Sequence, residues 1–361
     1  MLQSIITGSG SYLPKKIVPN SEFENVVFYD EDGIPMANKS TSEIIEKFAD
    51  ITEITERRYV DSDEIMNSDL AAEVARLAID DAGIDKEELD YVIAAHNFGD
   101  IDVATKRVRI MPSISALIKY KLGIKNDQCR PYDMIFGCPG WNEGVILADM
   151  LIQSKNAKKI LIVGSETLSR TVDPFDRNSM IFSDGAGAVV LEARETDKRV
   201  GILRHCTQSD NGDETFYLKM DASLNPEYQV SNANIRMNGR RIYEYALTHV
   251  PVAMKNIIDE EGLTINDINK MLIHQANAKM DYAILQRLFK LYDLTIEDIP
   301  EGFAPMTIQK FGNSSVATIP TMYDMIVKGN FENQAFKSGD NVIFASVGAG
   351  MNINAILYRI P

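Results

Sequence analysis

The stretch Tyr132–Gln153 reads YDMIFGCPGWNEGVILADMLIQ. A short apolar strand runs into Phe136-Gly137-Cys138, and Pro139 follows at once. Proline suits the first helical position, because its missing N–H would have had no intrahelical partner. That spacing makes Cys138 the N-cap of the helix. Seven of the eight residues from Val145 to Ile152 are apolar, with Asp149 the exception. A helix that is apolar all round is a buried one. The stretch therefore predicts a thiol at the N-terminus of a buried helix, where the dipole and free N–H groups favour thiolate. Two readings stay open here: a nucleophile, or a small buried core cysteine.

Working outward, strands and helices alternate. Ser4–Ser9 reads as a strand, and Ser42–Phe48 as a helix in an acid-rich region. An amphipathic helix over Ser68–Ala82 carries Leu70, Val74, Leu77 and Ala78 at helical spacing and ends at Gly83. Tyr91–Ala95 is a buried strand reaching His96. Residues 97–111 form a long connection, and Pro112-Ser113 opens a helix to Leu122. Lys159–Gly164 is a further buried strand. Ser183–Gly187, SDGAG, reads as a tight turn before the strand Ala188–Leu191. This alternation argues for α/β architecture.

Composition narrows the function. Three cysteines, Cys129, Cys138 and Cys206, are too few for a disulfide framework. The first residues, MLQSIITGSGSYL, lack the basic region of a signal peptide, and no apolar run reaches the ~18 residues of a membrane span. The expected compartment is the cytoplasm. The net charge of −15 argues against nucleic acid and anionic membranes as main partners, though a local basic patch would still suit an acidic protein.

The second half repeats the first. Asp80-Asp81-Ala82-Gly83 ends a helix before a strand that reaches His96; Asp259-Glu260-Glu261-Gly262 ends a helix before a strand that reaches His274. Phe136-Gly137-Cys138 is echoed by Phe311-Gly312-Asn313. The offsets, 179 residues between the helix-ending glycines and 175 between the others, are close to half the chain. The expectation is two similar α/β halves about a pseudo-twofold axis, over 1–190 and 191–361, with a boundary at about 175–200. The cysteine and asparagine turns would face each other across that axis. His274, at a strand end on the same side, could join them, since ligands of α/β folds gather at strand C-termini.

Cys138, His274 in His274-Gln275-Ala276-Asn277 and Asn313 in Phe311-Gly312-Asn313-Ser314-Ser315 together resemble the Cys-His-Asn triad of the β-ketoacyl-ACP synthase III family. The likeness runs from Gly8-Ser9-Gly10 through Gly164-Ser165-Glu166, Asp173–Arg177 and Asp184–Ala188 to Gly348-Ala349-Gly350. It implies a thiolase-like fold layered α-β-α-β-α, in a homodimer without cofactor or metal. It implies an acyltransferase that starts fatty-acid synthesis by decarboxylative Claisen condensation of an acyl thioester, held on Cys138, with malonyl-ACP. The backbone of Cys138 and of Gly348, Ala349 and Gly350 would form the oxyanion hole. Arg177 and Asn277 would hold the carrier's nucleotide or pantetheine arm. A helix bearing Lys279, Arg287 and Lys290 within ~80° of one another would dock acyl carrier protein. Degradative thiolases place a second cysteine near Ser346–Gly350, where this chain has none, and elongating synthases place a second histidine where Asn313 stands.

The chain departs from the family in three places. The segment Thr41-Ser42-Glu43-Ile44-Ile45 lacks the tryptophan that stacks on CoA, with Lys47 and Ile51 at the tryptophan and arginine positions, which favours an ACP-bound over an acyl-CoA donor. The connection 97–111 is long and basic, and Met111 stands where a bulky acyl-pocket residue is expected; an altered pocket and a surface elaboration are both open. The usual Cys-Ala-Gly-Phe is Cys138-Pro139-Gly140-Trp141, placing Trp141 at the pocket floor. Cys129, Cys206, His96, His205 and His249 read as structural. Alternatives are a specialised synthase of a polyketide, aryl-polyene or alkylresorcinol-type pathway, a non-decarboxylating acyl transfer, a cysteine thioester hydrolase, or an acyl-binding protein with a degenerate site.

Overall fold

The structure is a computed structural model and describes residues 1–228 and 234–361. Two sheets share one connectivity. The first contains β1 (Leu2–Tyr12), β2 (Tyr91–Ala95), β3 (Arg130–Met134), β4 (Lys159–Thr167) and β5 (Asp184–Glu195), in the order β1-β5-β4-β2-β3. The second contains β6 (Gly201–Ser209), β7 (Lys270–Ile273), β8 (Asn341–Gly348) and β9 (Asn352–Arg359), in the order β6-β9-β8-β7. In each sheet the first strand pairs antiparallel with the last, and the last antiparallel with its inner neighbour. That neighbour pairs parallel with the strand ending at His96 or His274. The repeat read from the helix-ending glycines is therefore a repeat of topology, and β3 is the one strand of the first sheet without a mate in the second.

The helices complete five layers. α1 (Thr41–Thr52) lies against the second half near the site. α2 (Asn67–Ala82) and α3 (Ile114–Leu122) cover the outer face of the first sheet. α5 (Gly239–Glu260) and α6 (Ala278–Lys290) cover the outer side of the second. Between the sheets lie α4 (Gly140–Gln153) and, beyond a single turn at Ile308–Phe311 here labelled α7, α8 (Thr318–Val327). β2 shows why both faces must be covered. Tyr91, Ile93 and Ala95 enter the core between the sheets, while Val92 and Ala94 enter the core beneath α2. Alternate side chains face opposite sides of a strand, so a strand apolar throughout is buried on both.

Helix ends follow the sequence where local chemistry decides them. Gly83 closes α2 in the left-handed region at φ 64°. Ser113 caps α3 by accepting from the Ala116 N–H, and Ser40 with Glu43 forms a capping box on α1. Two expectations are corrected. Ser183–Gly187 is not a turn: Asp184 already begins β5. A Cβ at Gly187 would stand 2.8 Å from Pro320 Cβ and from Thr321 N, so this glycine lets α8 approach the sheet. Nor is Cys138 the N-cap of α4. The helix starts at Gly140 with Pro139 as its N-cap, so Cys138 lies one residue before it.

Candidate active site

Cys138 sits on the turn between β3 and α4, where Gly137 takes φ 66°. The loop after β8 presses directly on it. A Cβ at Gly348 would stand 2.6 Å from Cys138 N, and one at Gly137 would stand 2.7 Å from Ala349 N. The backbones of Cys138 and of the Gly348–Gly350 loop thus meet without room for a side chain at position 348.

His274 extends β7 by one residue, its N–H donating to the Ala345 carbonyl at 2.8 Å. It is buried, and burial pushes its pKa from the ordinary 6.5 down to about 4, partly opposed by a hydrogen bond to the Ser315 backbone. The imidazole is therefore neutral near pH 7. Its Nδ1 has no hydrogen-bond partner among the described residues. Asn313 follows the α7 turn and is clamped by the first half: its N–H donates to the Ile181 carbonyl and its carbonyl accepts from Ser183 N, both at 2.9 Å. Asn313 Oδ1 accepts from Ser315 N at 2.8 Å, which leaves Nδ2 as the side-chain donor.

Ser315 stands between Asn313 and the thiol's cavity. Its amide holds the Asn313 side chain, its hydroxyl accepts from Asn97 Nδ2 at 3.0 Å, and with Cys138 it lines one cavity. The sequence shows Ser315 only as part of a motif. Behind it stand Asn97 and Glu166, also without an assigned role. A signal for Glu166 was present: a carboxyl group inside the apolar strand KILIVGSET demands a partner in the core.

Cys138 is not the ready thiolate that its place before a helix suggests. Burial pushes the Cys138 thiol up to about 11, and the nearby Glu166 adds to this, while Ser315 draws it down. Desolvation of the charged form outweighs a helix that begins two residues later.

Cys138 opens into a cavity of about 240 Å³ lined almost wholly by apolar groups, among them Phe98, Leu168, Phe182, Leu218 and Ile235. Neither residue expected to shape it lines it. Trp141 is 1% exposed and packs edge-on to Phe344 in the core between the sheets, because its position on α4 turns it inward. Met111 is 86% exposed and lies away from this chain's own cavity. The connection 97–111 folds as a small hairpin pairing Asp100–Ile101 with Val108–Arg109.

A second groove, about 730 Å³, lies between α1, α5 and the start of α6. Lys39, Lys47, Arg177, Arg240 and Lys279 line it, with no acidic side chain among its described lining residues. Asn277 also faces it, its Oδ1 capping α6 through Met280 N. Such a groove on an acidic protein suits a phosphate-bearing ligand. Arg287 and Lys290 lie further along α6, beside a depression formed with Leu247, Thr248 and Pro251 of α5.

The other cysteines and histidines lie apart. Cys129 is buried beneath α2 and α3, and Cys206 packs on the outer side of the second sheet. His96 Nε2 meets Asp133 at 2.8 Å while Nδ1 accepts from Gly99 N, a fully partnered core histidine. His205 lies 3.5 Å from Asp149 and His249 stacks on Tyr245. Among the described residues no acidic, cysteine and histidine cluster could hold a metal ion, and no helix is long and apolar enough to cross a membrane.

Comparison with known proteins agrees with this arrangement. Residues 132–211 match the family model 3-oxoacyl-[acyl-carrier-protein] synthase III, and residues 258–360 match its C-terminal counterpart. β-Ketoacyl-[acyl-carrier-protein] synthase III of Ehrlichia canis is 31% identical over the whole of both chains. The enzyme of the same name from Staphylococcus saprophyticus is 32% identical over 98% of both. The crystal structure of β-ketoacyl-[acyl-carrier-protein] synthase III from Thermus thermophilus superposes with a TM-score of 0.79 at 26% identity, covering 99% of each chain. With the paired sheets and the five layers, these matches place the chain in the 3-oxoacyl-[acyl-carrier-protein] synthase III family of thiolase-fold enzymes.

Proposed function

We propose that the chain condenses an acyl thioester with malonyl-ACP, with loss of CO₂, to give a 3-oxoacyl-ACP that initiates acyl-chain synthesis. The observation that carries this reading is Cys138 opening on an apolar cavity and packed against Gly348, with His274 bonded to the same strand β8 and Asn313 held by Ser315 of the cavity wall. The Cys138 sulfur attacks the donor's thioester carbonyl. The carrier thiol leaves with the proton, and the acyl group stays on sulfur while the second substrate enters. The N–H groups of Cys138 and of the Gly348–Gly350 loop face the oxyanion of the tetrahedral intermediate.

Neutral His274 and the Asn313 amide then donate hydrogen bonds to the thioester oxygen of malonyl-ACP. As CO₂ departs, the electron pair of the broken C–C bond passes into an enolate on that oxygen, and donors already placed there lower the barrier. The enolate carbon attacks the acyl-cysteine, and the expelled sulfur takes up a proton. No metal or redox group is needed for this sequence. Arg177, Asn277 and Lys279 receive the phosphate end of the carrier arm, while Arg287 and Lys290 extend the basic face of α6 toward acyl carrier protein.

The same reading includes a homodimer whose protomers each divide between β5 and β6. β3 pairs on one side only, so it leaves an open sheet edge. Ile135, just beyond it, and Tyr120 of α3, which packs on it, are exposed, as are Ile110 and Met111, and Ile135 also lines the cavity. A second copy covering this face would close the cavity and bring its own Met111 toward it. Incubation with malonyl-ACP and a panel of acyl-CoA and acyl-ACP donors tests the function. Release of CO₂ with a 3-oxoacyl-ACP product supports condensation, whereas free acid and carrier thiol alone would make the protein a hydrolase.

A further inference from the structure

We infer that a pocket behind the wall of the Cys138 cavity, lined by Lys106, Arg170 and Asn234, binds the carboxylate of a small organic acid. That acid arrives either free or as the far end of a dicarboxylic acyl group carried on Cys138. The second source rests on the nucleophile reading above.

The pocket encloses about 220 Å³, and no acidic side chain stands among its described lining residues. Arg170 is 8% exposed and Lys106 is half-buried. Among the described residues neither forms an ion pair. A guanidinium carries five N–H donors. Arg170 directs Nη2 at the Ser62 and Ile65 carbonyls, at 3.0 and 2.6 Å, and Nη1 at the Met66 sulfur at 3.6 Å. These contacts fix the side chain and leave Nε–H and one Nη1–H without an acceptor among the described residues. The Asp184 carboxylate, beside the same segment, is already taken by the N–H groups of Val60 and Ser169 and by the Ser169 hydroxyl. Burial and the Arg170 charge push the Lys106 pKa down, with Asp63 opposing. Two positive groups drawn out of water without a counter-ion are costly, and a bound anion relieves that cost.

Asn234 points to the same ligand independently. It is 7% exposed, and its Nδ2 has no hydrogen-bond partner among the described residues. Buried amide donors are ordinarily satisfied. One carboxylate, with two oxygens and about four lone-pair sites, answers both cations and the orphaned donor. Val108, Val172, Pro174 and Met220 line the rest, which suits a hydrocarbon stem behind the carboxylate.

The pocket and the Cys138 cavity share a wall. Leu168 lines the cavity while Ser169, Arg170 and Thr171 line the pocket. Ile235 lines the cavity and its strand neighbour Asn234 the pocket, as alternate residues of a strand do. Met220, paired with Ile235 across their hairpin, lines both. An unbranched methionine side chain moves readily between rotamers, so it is suited to open a passage. The long connection 97–111 contributes Lys106 and Val108, which gives it a part in the pocket.

Calorimetric titration at low salt with succinate, and with neutral succinamide, tests the site. Succinate should bind and succinamide should not. Lys106→Gln should weaken succinate binding by about tenfold or more, the loss expected for one charged hydrogen bond. Asn234→Asp, which sets a carboxylate of the chain's own beside the two cations, should abolish it. Arg240→Gln, in the other basic groove, should leave it unchanged. Melting curves establish that each variant is folded. Condensation rates with ω-carboxy and methyl-terminated acyl donors of four to eight carbons then read the source. A preference for an ω-carboxy donor over its methyl-terminated counterpart, reduced about tenfold in Lys106→Gln, makes the carboxylate the acyl terminus. Succinate binding without such a preference makes the ligand a free acid. Absence of both effects overturns the inference, as does either effect persisting unchanged in a folded Lys106→Gln or Asn234→Asp protein. Succinate binding by a protein that condenses no donor would sink the proposed function and leave the site standing, so the two failures are distinct.

Discussion

Gly348 packs so tightly on Cys138 that a Cβ at position 348 would lie 2.6 Å from the Cys138 nitrogen and 2.9 Å from its Cβ. Both neighbours are held, one by the turn into α4 and the other by β8, so neither can yield as a flexible side chain would. Gly348→Ala should therefore cost roughly 1–3 kcal/mol of stability by overpacking. It should also lower kcat/KM by on the order of 100-fold, since displacing a nucleophile by about 1 Å has that effect. Melting curves and steady-state condensation rates check both.

His274 gives a pH dependence of stability. Unfolded, it titrates near 6.5; folded, near 4. Between these values the unfolded chain binds a proton that the folded chain refuses. Its stabilising contribution is thus full above pH 6.5 and is lost as the pH falls toward 4, by roughly 3 kcal/mol in all. A His274→Asn protein should lose correspondingly less stability than wild type between pH 7 and pH 4.5 in denaturant titrations. Identical losses in the two proteins would show that His274 is not buried neutral.

Ile235 lines the apolar cavity at Cys138 from beyond β6 and is itself buried. Ile235→Phe should shorten the longest donor accepted, in a series from two to ten carbons, while sparing the shortest. Loss of activity spread evenly over chain length would place the acyl group elsewhere.

Lys279 stands at the basic groove and Arg287 further along the same helix, its guanidinium also donating to the Leu247 carbonyl at 3.2 Å. Charge reversal at both should raise KM for ACP-borne substrates several-fold, more at low salt than at high, and leave small non-ACP thioesters nearly unaffected. Equal losses for both substrate kinds would count against docking on α6.

Much of this fold is legible where local chemistry and periodicity decide it. The α2 helix with Gly83 and the β2 strand at Tyr91–Ala95 follow from spacing alone. The echo of Gly137 in Gly312 reaches the backbone, since both take positive φ, but not the sheets: Gly137 follows the unmatched β3 and Gly312 the α7 turn. The misreadings share one cause. Gly187 of SDGAG and the ring of Trp141 answer to elements far away in sequence, α8 and β8, and local composition carries no trace of that contact. The same holds for the site. Cys138, His274 and Asn313 are recognisable as residue types in a set order, whereas Ser315, Asn97 and Glu166 gain meaning only when the chain folds them together. The pKa of Cys138 is illegible for a related reason: a helix N-terminus can be read from sequence, but the desolvation that outweighs it cannot.

The central claim is that the acyl group rides on Cys138. Intact-mass and peptide-mass measurement after incubation with acyl donor, in the absence of malonyl-ACP, tests it most directly. The account predicts one acyl group per chain on the peptide containing Cys138, lost on adding malonyl-ACP and absent from a Cys138→Ser protein. An unmodified Cys138 in a preparation that still turns over donor, or an acyl group on Cys129 or Cys206 instead, would contradict it.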